Sequence, residues 1–523
     1  MKYLLVTGGV ISGVGKGITA SSLGVLLQTH GCKVTAIKID PYLNQDSGTL
    51  SPFEHGECFV LADGGEADLD LGSYERFLGI TLSKDNNITT GKIYRKVLEA
   101  ERRGDYLGTT VQIVPQITDS IIEWIDRVGN NNNFDVCILE LGGTVGDIES
   151  LPFLEALRQM KSDDKNTFCH VHVSYLPVLK TTSEIKTKPT QESVKNIRRY
   201  GIDPNFLCLR CEEAIPDDVL HKINRFCGLP ATHVLKNVDV SNIYSVSLNF
   251  SGVIKSLWNS LRLPSEPTPT PKWEIWKNIA HAFGVEFPTI TVGIVGKYSG
   301  LRDSYLSLCH AIKHAAVSLH RTVKIKFIES SSSELTELSE CNAVIIPGGF
   351  GQRGIEGMVR AAQYTREKGI PTLGICLGMQ VMIIEWARNV LAWKDANSME
   401  FDPNTKYPVL IIMDSDIKDL GGSMRLGSQS VHIKPATRCR EIYPTAVISE
   451  RHRHRYEVNP KYHSNIDAGK LKLAAFDETK KRVEMIEHDS HKFYIGCQFH
   501  PEYQTYPGQP HPLFINLIRA CCS

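Results

Sequence analysis

No stretch of the 523 residues is apolar for long enough to cross a bilayer. The run Lys2-Tyr3-Leu4-Leu5-Val6 begins like a secretory leader, but Thr7-Gly8-Gly9 cuts it short and Lys16 follows soon after. Net charge is missing as well: Lys plus Arg and Asp plus Glu both number 58. That balance argues against a protein that coats nucleic acid or an anionic membrane. The chain also lacks repeats, long low-complexity stretches and a cysteine framework. Cys208 and Cys211 form one C-x-x-C without a second pair, and Cys521-Cys522 is a doublet. The 14 cysteines therefore read as reduced thiols rather than as a zinc site or a set of disulfides. Residues 130–133 and 330–333 read as surface loops. A cytoplasmic protein with no nucleic-acid or membrane partner is expected.

What is present is a globular composition, 42% hydrophobic and 22% charged, in a chain too long for one core. The sharpest break holds Pro264, Pro267, Pro269 and Pro271, which favour stiff, extended backbone. It predicts a domain over 1–263, a linker over 264–288 and a second domain over 289–523. Trp273 and Trp276 in the linker are expected to pack back onto a domain. Before the break, short β-rich runs fall at 4–6, 34–39, 136–139, 169–173 and 206–209, with helical patterns at 18–27 and 117–128. After it they fall at 290–295, 323–328, 343–346, 372–375 and 494–499. This alternation predicts α/β domains with parallel sheets, whose ligands gather beyond the carboxyl ends of the strands.

In the C-terminal half an apolar strand runs into Gly374-Ile-Cys376-Leu-Gly378, and a helix follows with Met379, Met382, Ile383, Trp386 and Val390 on one face. Small neighbours let the chain turn sharply and present a thiol at a helix N-terminus, where a thiolate is stabilised. Buried strand cysteines are common, so this run alone does not decide the matter. Pro347-Gly348-Gly349-Phe350-Gly351 can turn N–H groups toward an oxyanion. His500 and Glu502, two apart in an extended segment, would share one side and supply a base and its orienting acceptor.

In the N-terminal half Gly8-Gly9-Val-Ile-Ser12-Gly13-Val14-Gly15-Lys16-Gly17 links a strand to a helix, as a phosphate-binding loop does. Val10 stands where a standard P-loop has its first glycine, and Gly17 where it has a metal-binding Ser or Thr. Metal ligation must then come from carboxylates, and Asp70 and Glu140 are the candidates. Gly142-Gly143-Thr144-Val-Gly146-Asp147-Ile148-Glu149 is a second strand-end glycine loop. Lys186-Thr187-Lys188-Pro-Thr190-Gln191 suits another polyphosphate, although charge clusters of this kind are usually solvated surface.

The runs PGGFG, GICLGMQ and QFHPE resemble a class I glutamine amidotransferase. Joined to VTGGVISGVGKG, KIDPYLNQDSGTLSPFEHGE, DLDLGSYERF, ERRGDYLG, ELGGTVGDIESLPFLEA and KTKPTQ, they resemble the CTP synthases over essentially the whole length. The resemblance implies a P-loop-like (dethiobiotin-synthetase-like) Rossmann-type parallel-sheet domain and a class I amidotransferase α/β domain. It implies ATP-dependent amination of UTP at C4, through 4-phosphorylated UTP, with ammonia from L-glutamine channelled between the domains. Cys376 would attack the amide, His500 would protonate the ammonia and Glu502 would orient it. Gly349, Leu377, Gln380, Glu400 and Arg455 would hold glutamine or its oxyanion. ATP would meet Ser12, Gly13, Val14, Gly15, Lys16, Gly17, Lys38, Arg210 and Val238, with Mg²⁺ on Asp70 and Glu140. UTP or CTP would meet Ser12, Asp147, Ile148, Glu149, Lys186, Thr187, Lys188, Gln191 and Lys222. Pro52, His55 and Glu57 would line the ammonia passage.

The family also implies GTP activation, with Arg425 as a contact, CTP feedback inhibition, homotetramers and filaments. Two departures stand out: Gln116 replaces an expected histidine, and the connector 413–420 is short. In Arg451-His-Arg453-His-Arg455 the residues are expected to alternate along a strand, with Arg455 turned toward glutamine. Two alternatives remain at this point. Another glutamine-dependent ATP ligase, such as a cobyrinic-acid amidase, would share the phosphate loop and amidotransferase. A silent filament or regulatory subunit would be free to lose Cys376, His500, Glu502, Lys16, Asp70 or Glu140.

Overall fold

A computed structural model describes residues 1–131, 134–179, 181–182, 184–297, 302–331, 336–412 and 424–522. The connector 413–420, the adjoining 421–423 and parts of the loops 130–133 and 330–333 lie outside the described residues. The chain divides into two compact units that do not follow chain order. One comprises Met1–Ser47 and Asp70–Val285, the other Gly48–Leu69 and Glu286–Ser523.

The first unit is built on strands β1 (Lys2–Gly8), β2 (Val34–Asp40), β3 (Asn87–Thr89), β4 (Val136–Leu141), β5 (Thr167–Tyr175), β6 (Phe206–Cys211) and β7 (Val234–Val238). They lie in the order β7-β6-β5-β1-β4-β2-β3, and every pairing is parallel. β2 and β4 are buried at every residue. A strand covered on both faces favours a continuous apolar run over alternation; 136–139 is such a run, and 34–39 departs from one only at Thr35 and Lys38. The glycine loop leaves β1 and enters helix α1 (Lys16–Thr29); helix α2 (Leu69–Leu78) and helix α3 (Lys188–Arg199) carry other candidate residues. The proline-rich stretch runs into helix α4 (Pro271–Ala282), which opens on Pro271. Its Trp273 and Trp276 are buried, and Trp276 Nε1 donates to Ser247 Oγ at 2.6 Å. The tryptophans thus pack back onto the first unit.

The second unit holds β8 (Thr289–Gly296), helix α5 (Leu306–Ser318), β9 (Thr322–Glu329), β10 (Ala343–Ile346), β11 (Thr372–Ile375) and helix α6 (Leu377–Asn389). Strands β12 (Arg425–Ile433), β13 (Val447–His454), β14 (Leu471–Phe476), β15 (Val483–His488) and β16 (Tyr494–Cys497) complete the sheet. Its order is β9-β8-β10-β11-β16-β15-β14-β12-β13. Pairings from β9 to β16 are parallel and the rest antiparallel, so the sheet is mixed rather than parallel throughout. β12 is buried only at Gly427, Val431 and Ile433 and exposed at Ser430, as an antiparallel strand with one wet face can be. Helix α6 is buried from Leu377 to Ala387 all the way round, not on one face, and Val390 lies past its end, 43% exposed.

Segment Gly48–Leu69 belongs to this second unit although it sits far upstream in sequence. Arg451 Nη1 donates to Val60 O at 3.0 Å, Ser428 N to Ala62 O at 2.8 Å and Tyr503 OH to Cys58 O at 2.9 Å. The Glu57 carboxylate accepts from Ser307 N at 3.0 and 2.9 Å, in the first turn of α5. An acidic group there satisfies an orphan amide and meets the positive end of the helix.

Candidate active sites

Cys376 sits between β11 and α6 with φ of 53° and ψ of −104°, a positive-φ conformation uncommon for a residue with a side chain. The strain persists because the elbow is held on both sides. Cys376 N donates to Cys497 O at 2.7 Å, and Gln380 N donates back to Cys376 O at 3.2 Å. The thiol lies 3.7 Å from Arg453 O and 3.5 Å from Gln498 Nε2. His500 Nδ1 meets Glu502 Oε1 at 2.7 Å, and Tyr503 stacks on the imidazole with centroids 5.2 Å apart. His500 and Glu502 are not alternate residues of a strand. β16 ends at Cys497, and Pro501 opens a 3₁₀ turn over Pro501–Gln504 that folds Glu502 back onto His500. Burial alone would lower the His500 pKa, but the Glu502 carboxylate and the Cys376 sulfur outweigh it and hold it up at about 10.

A cavity of about 260 Å³ opens beside this group. Cys376, His500, Gly348 to Phe350, Leu50, Pro52 and Glu57 are among the residues that line it. A methyl on Gly348 would lie 2.8 Å from His500 Cε1 and 3.7 Å from Cys376 Cβ, so the glycine loop touches both. Pro52, Glu57 and Gly349 are therefore brought to the thiol, whereas His55 is exposed and lies outside the lining. Leu377 opens α6, where an amide has no intrahelical acceptor. Gln380 Nε2 donates to Tyr456 O and Gln498 Oε1, both at 3.1 Å. Glu400 Oε1 accepts from Gly351 N at 2.8 Å; burial raises its pKa against the opposing pull of that amide, Lys297 and Arg455.

Arg451 and Arg453 lie in β13 as expected, while the other arginines take different places. Arg455 follows β13 rather than lying in it. Its neighbours Arg451 and Arg453 hold segment Gly48–Leu69: Arg453 Nε pairs with Glu66 Oε1 at 2.7 Å and Nη2 donates to Gly48 O at 3.1 Å. Arg425 is committed to an internal pair with the buried Glu484, whose pKa burial still lifts to about 7. Sequence reasoning did not single out Gln498 or Arg453. The first stands at the head of the Gln-Phe-His-Pro-Glu run; the second contributes a carbonyl, which no residue type signals.

In the first unit the glycine loop holds Val10 at φ 78°, where a β-branched residue is strained. Lys38 from β2 reaches into a group of acids. Its Nζ contacts Asp70 Oδ2 and lies 3.2 Å from Glu140 Oε1 and 3.7 Å from Asp40 Oδ1. Tyr74 OH donates to Glu140. The missing P-loop hydroxyl now has a physical reason. A Cβ on Gly17 would lie 2.3 Å from Asp70 Oδ1 and 3.6 Å from Glu140 Oε2, so the carboxylates take that space. Burial raises the pKa of Glu140 and of Asp40 despite Lys38, and burial lowers that of Lys16. Asp70 and Glu140 present carboxylate oxygens of the kind a hard divalent cation such as Mg²⁺ takes, with Lys38 standing between them, and among the described residues no group of three or more ligating side chains is arranged to hold a metal. Oxygen donors suit that ion.

Lys16 Nζ donates to Gly143 O at 2.7 Å, tying the two glycine loops together. Arg210 Nη1 donates to Gly13 O at 2.8 Å and Nε to Asp239 Oδ1 at 2.9 Å, with Val238 closing the neighbouring strand. Asp147 Oδ2 accepts from Thr144 N at 2.8 Å, and Ser12, Ile148 and Glu149 are exposed. Lys186 pairs with Glu184 at 2.5 Å, the charge of Lys222 acts on the same Glu184, and Lys188 pairs with Glu192 at 3.1 Å. Gln191 Nε2 donates to Thr187 Oγ1 at 3.1 Å. No hydrogen bond or ion pair among the described residues joins these lysines to Ser12, Asp147 or Glu149. Gln116 Oε1 accepts from Gln112 N at 2.9 Å. Among the described residues no helix is long and apolar enough to cross a membrane.

Family comparisons agree with both halves. The family described as CTP synthase N-terminus matches residues 2–263, and glutamine amidotransferase class-I matches 301–520. The CTP synthase of Thermococcus gammatolerans is 47% identical, covering 99% of this chain and 98% of its own. CTP synthase 1 of Homo sapiens is 46% identical over 99% and 92%. The solved glutaminase domain of Trypanosoma brucei CTPS, with bound acivicin, is 35% identical, covers 45% of this chain and 94% of its own, and gives a TM-score of 0.43. Fold and family together define a glutamine-hydrolysing carbon–nitrogen ligase, an α/β synthetase unit joined to an amidotransferase unit. The chain belongs to the CTP synthase family.

Proposed function

We propose that this chain makes CTP from UTP, ATP and glutamine, with Cys376, His500 and Glu502 releasing the ammonia and the Lys38–Asp70–Glu140 group activating the pyrimidine. The observation that carries the reading is the His500–Glu502 contact of 2.7 Å beside a strained, cavity-lining Cys376. Cys376 attacks the amide carbon to give a γ-glutamyl thioester, and N–H groups of Gly349 and Leu377 receive the oxyanion. His500, held protonated by Glu502, passes its proton to the departing nitrogen, and water then frees glutamate. Gln380, Glu400 and Arg455 hold the substrate's amino-acid end. Ammonia leaves toward the side bounded by Pro52 and Glu57 and is delivered to the pyrimidine.

In the first unit, Ser12 to Gly17 wrap the ATP phosphates, Lys16 and Lys38 meet the transferring phosphoryl group, and Arg210 and Val238 face adenine. Mg²⁺, held by Asp70 and Glu140, would neutralise phosphate charge. UTP lies on Asp147, Ile148, Glu149, Lys186, Thr187, Lys188, Gln191 and Lys222. Phosphorylation of its O4 makes that oxygen leave as phosphate when ammonia adds at C4. Homotetramers and GTP activation belong to the same reading. Arg425 Nη1 holds Glu484, so its part in any GTP contact falls to its remaining N–H groups.

Two labels test the scheme. UTP carrying ¹⁸O at O4 should deliver the label to inorganic phosphate; label kept in water would refute O4 phosphorylation. Amide-¹⁵N glutamine in excess unlabelled ammonium should give mainly ¹⁵N-CTP; fully diluted label would refute directed delivery.

A further inference from the structure

Lys297 follows β8 with 1% of its surface exposed, and no step above uses it. Its Nζ donates to Phe350 O at 3.2 Å and to Gly351 O. Phe350 O and Gly351 N belong to one peptide unit, and Gly351 N donates to Glu400 Oε1 at 2.8 Å. That peptide is thus gripped at both ends, its carbonyl by an ammonium and its amide by a carboxylate. The next carbonyl is held by the same ammonium. Gly351, at φ 79°, takes the turn that makes both carbonyls face one way. Directly upstream are Gly348, against His500 and Cys376, and Gly349, which lines the cavity.

We propose that Lys297 is a positioning residue for glutamine hydrolysis: its buried ammonium, opposed by Glu400, sets the peptide planes of the 347–351 loop so that Gly349 N–H faces the oxyanion. The proposal rests on Cys376 being the nucleophile and Gly349 a donor. A buried ammonium is costly in itself, so a lysine kept here for stability alone would be a poor choice beside an apolar side chain. Facing Lys297 are Glu400, which favours its charge, and Arg353, which opposes it and donates to Lys297 O. The Phe401 ring lies 5.7 Å from Nζ. Burial is the largest influence and brings the Lys297 pKa down to about 8. The clamp is therefore charged below pH 8 and weakens as pH rises through it.

The test compares glutamine hydrolysis by the full-length chain and by Lys297→Met, Lys297→Arg and Cys376→Ala across pH, with thermal melting of each. Lys297→Met should lose roughly 10- to 100-fold in kcat, short of the 10²–10³ for deleting an oxyanion donor outright, with KM moving less than about threefold. Its melting temperature should fall, because Phe350 O, Gly351 O and Glu400 all lose their cationic partner, so Lys297→Arg is the variant that separates positioning from stability. Lys297→Arg should keep most of the rate and move the alkaline fall above pH 8, since guanidinium stays charged. Wild-type kcat in Lys297→Met, or a Lys297→Arg protein that melts like the native chain yet is as slow as Lys297→Met, would overturn the assignment. A Cys376→Ala protein that still hydrolyses glutamine would instead overturn the reading of the thiol site.

Discussion

Glu502→Gln keeps the shape of the acceptor beside His500 and removes its charge. In the native site the imidazole is held at about 10 rather than 6.5, a preference for the charged form of roughly 5 kcal/mol. Glu502 is the largest favourable influence, with Cys376 second. Without it, burial acts against the imidazolium and the proton needed by the leaving nitrogen is no longer resident at neutral pH. Loss of such an oriented acid–base partner costs about 10²- to 10⁴-fold in rate. The assay is glutamate release against pH, with CTP formation from ammonium chloride as the parallel arm. The variant should lose glutaminase kcat on that scale and keep the ammonium arm. Its stability should change with a definite sign. A raised folded-state pKa stabilises fully below about 6.5 and ceases to do so as pH rises through about 10. Glu502→Gln should therefore lower the melting temperature most at acid pH. Wild-type kcat with an unchanged pH profile would refute the reasoning.

Other perturbations reach separate parts of the account. Gly17→Ala places a methyl 2.3 Å from Asp70 Oδ1; displacing that carboxylate should cut CTP formation with either nitrogen donor by roughly tenfold or more, and undiminished turnover would remove Asp70 from the metal site. Lys38→Ala removes the ammonium that stands among three acids and should stop CTP formation with glutamine and with ammonium alike; unchanged ammonium-dependent turnover would remove Lys38 from the ATP site. Glu57→Ala removes the acceptor for Ser307 N and should destabilise the second unit by about 1–2 kcal/mol in urea titrations. No change in midpoint would mean that the cap contributes nothing.

Much of this architecture was legible because local chemistry and fold agree. The unbroken apolar run at 136–139 and the mostly apolar run at 34–39 pointed to strands covered on both faces, and the glycine turn before Lys16 required a strand behind it and a helix ahead. The antiparallel half of the second sheet was hidden. β12 is half-polar, and short apolar runs such as that of β14 carry no direction of pairing. The placement of Gly48–Leu69 was also invisible, because it depends on Arg451, Arg453 and Tyr503 some four hundred residues away. His500 and Glu502 were paired for the wrong geometric reason, since Pro501 turns the chain where an extended strand was expected. Lys297 was missed because a lysine at a strand end normally reads as solvated; only its burial against two carbonyls marks it.

The central claim is that two separable half-reactions share this chain, and the most direct measurement is CTP formation from UTP, ATP and Mg²⁺ by the native chain and by Cys376→Ala, each with glutamine and with ammonium chloride. The native chain should make CTP from both donors and the variant from ammonium alone. A native chain that makes none from ammonium, or a variant that still uses glutamine, would contradict the account.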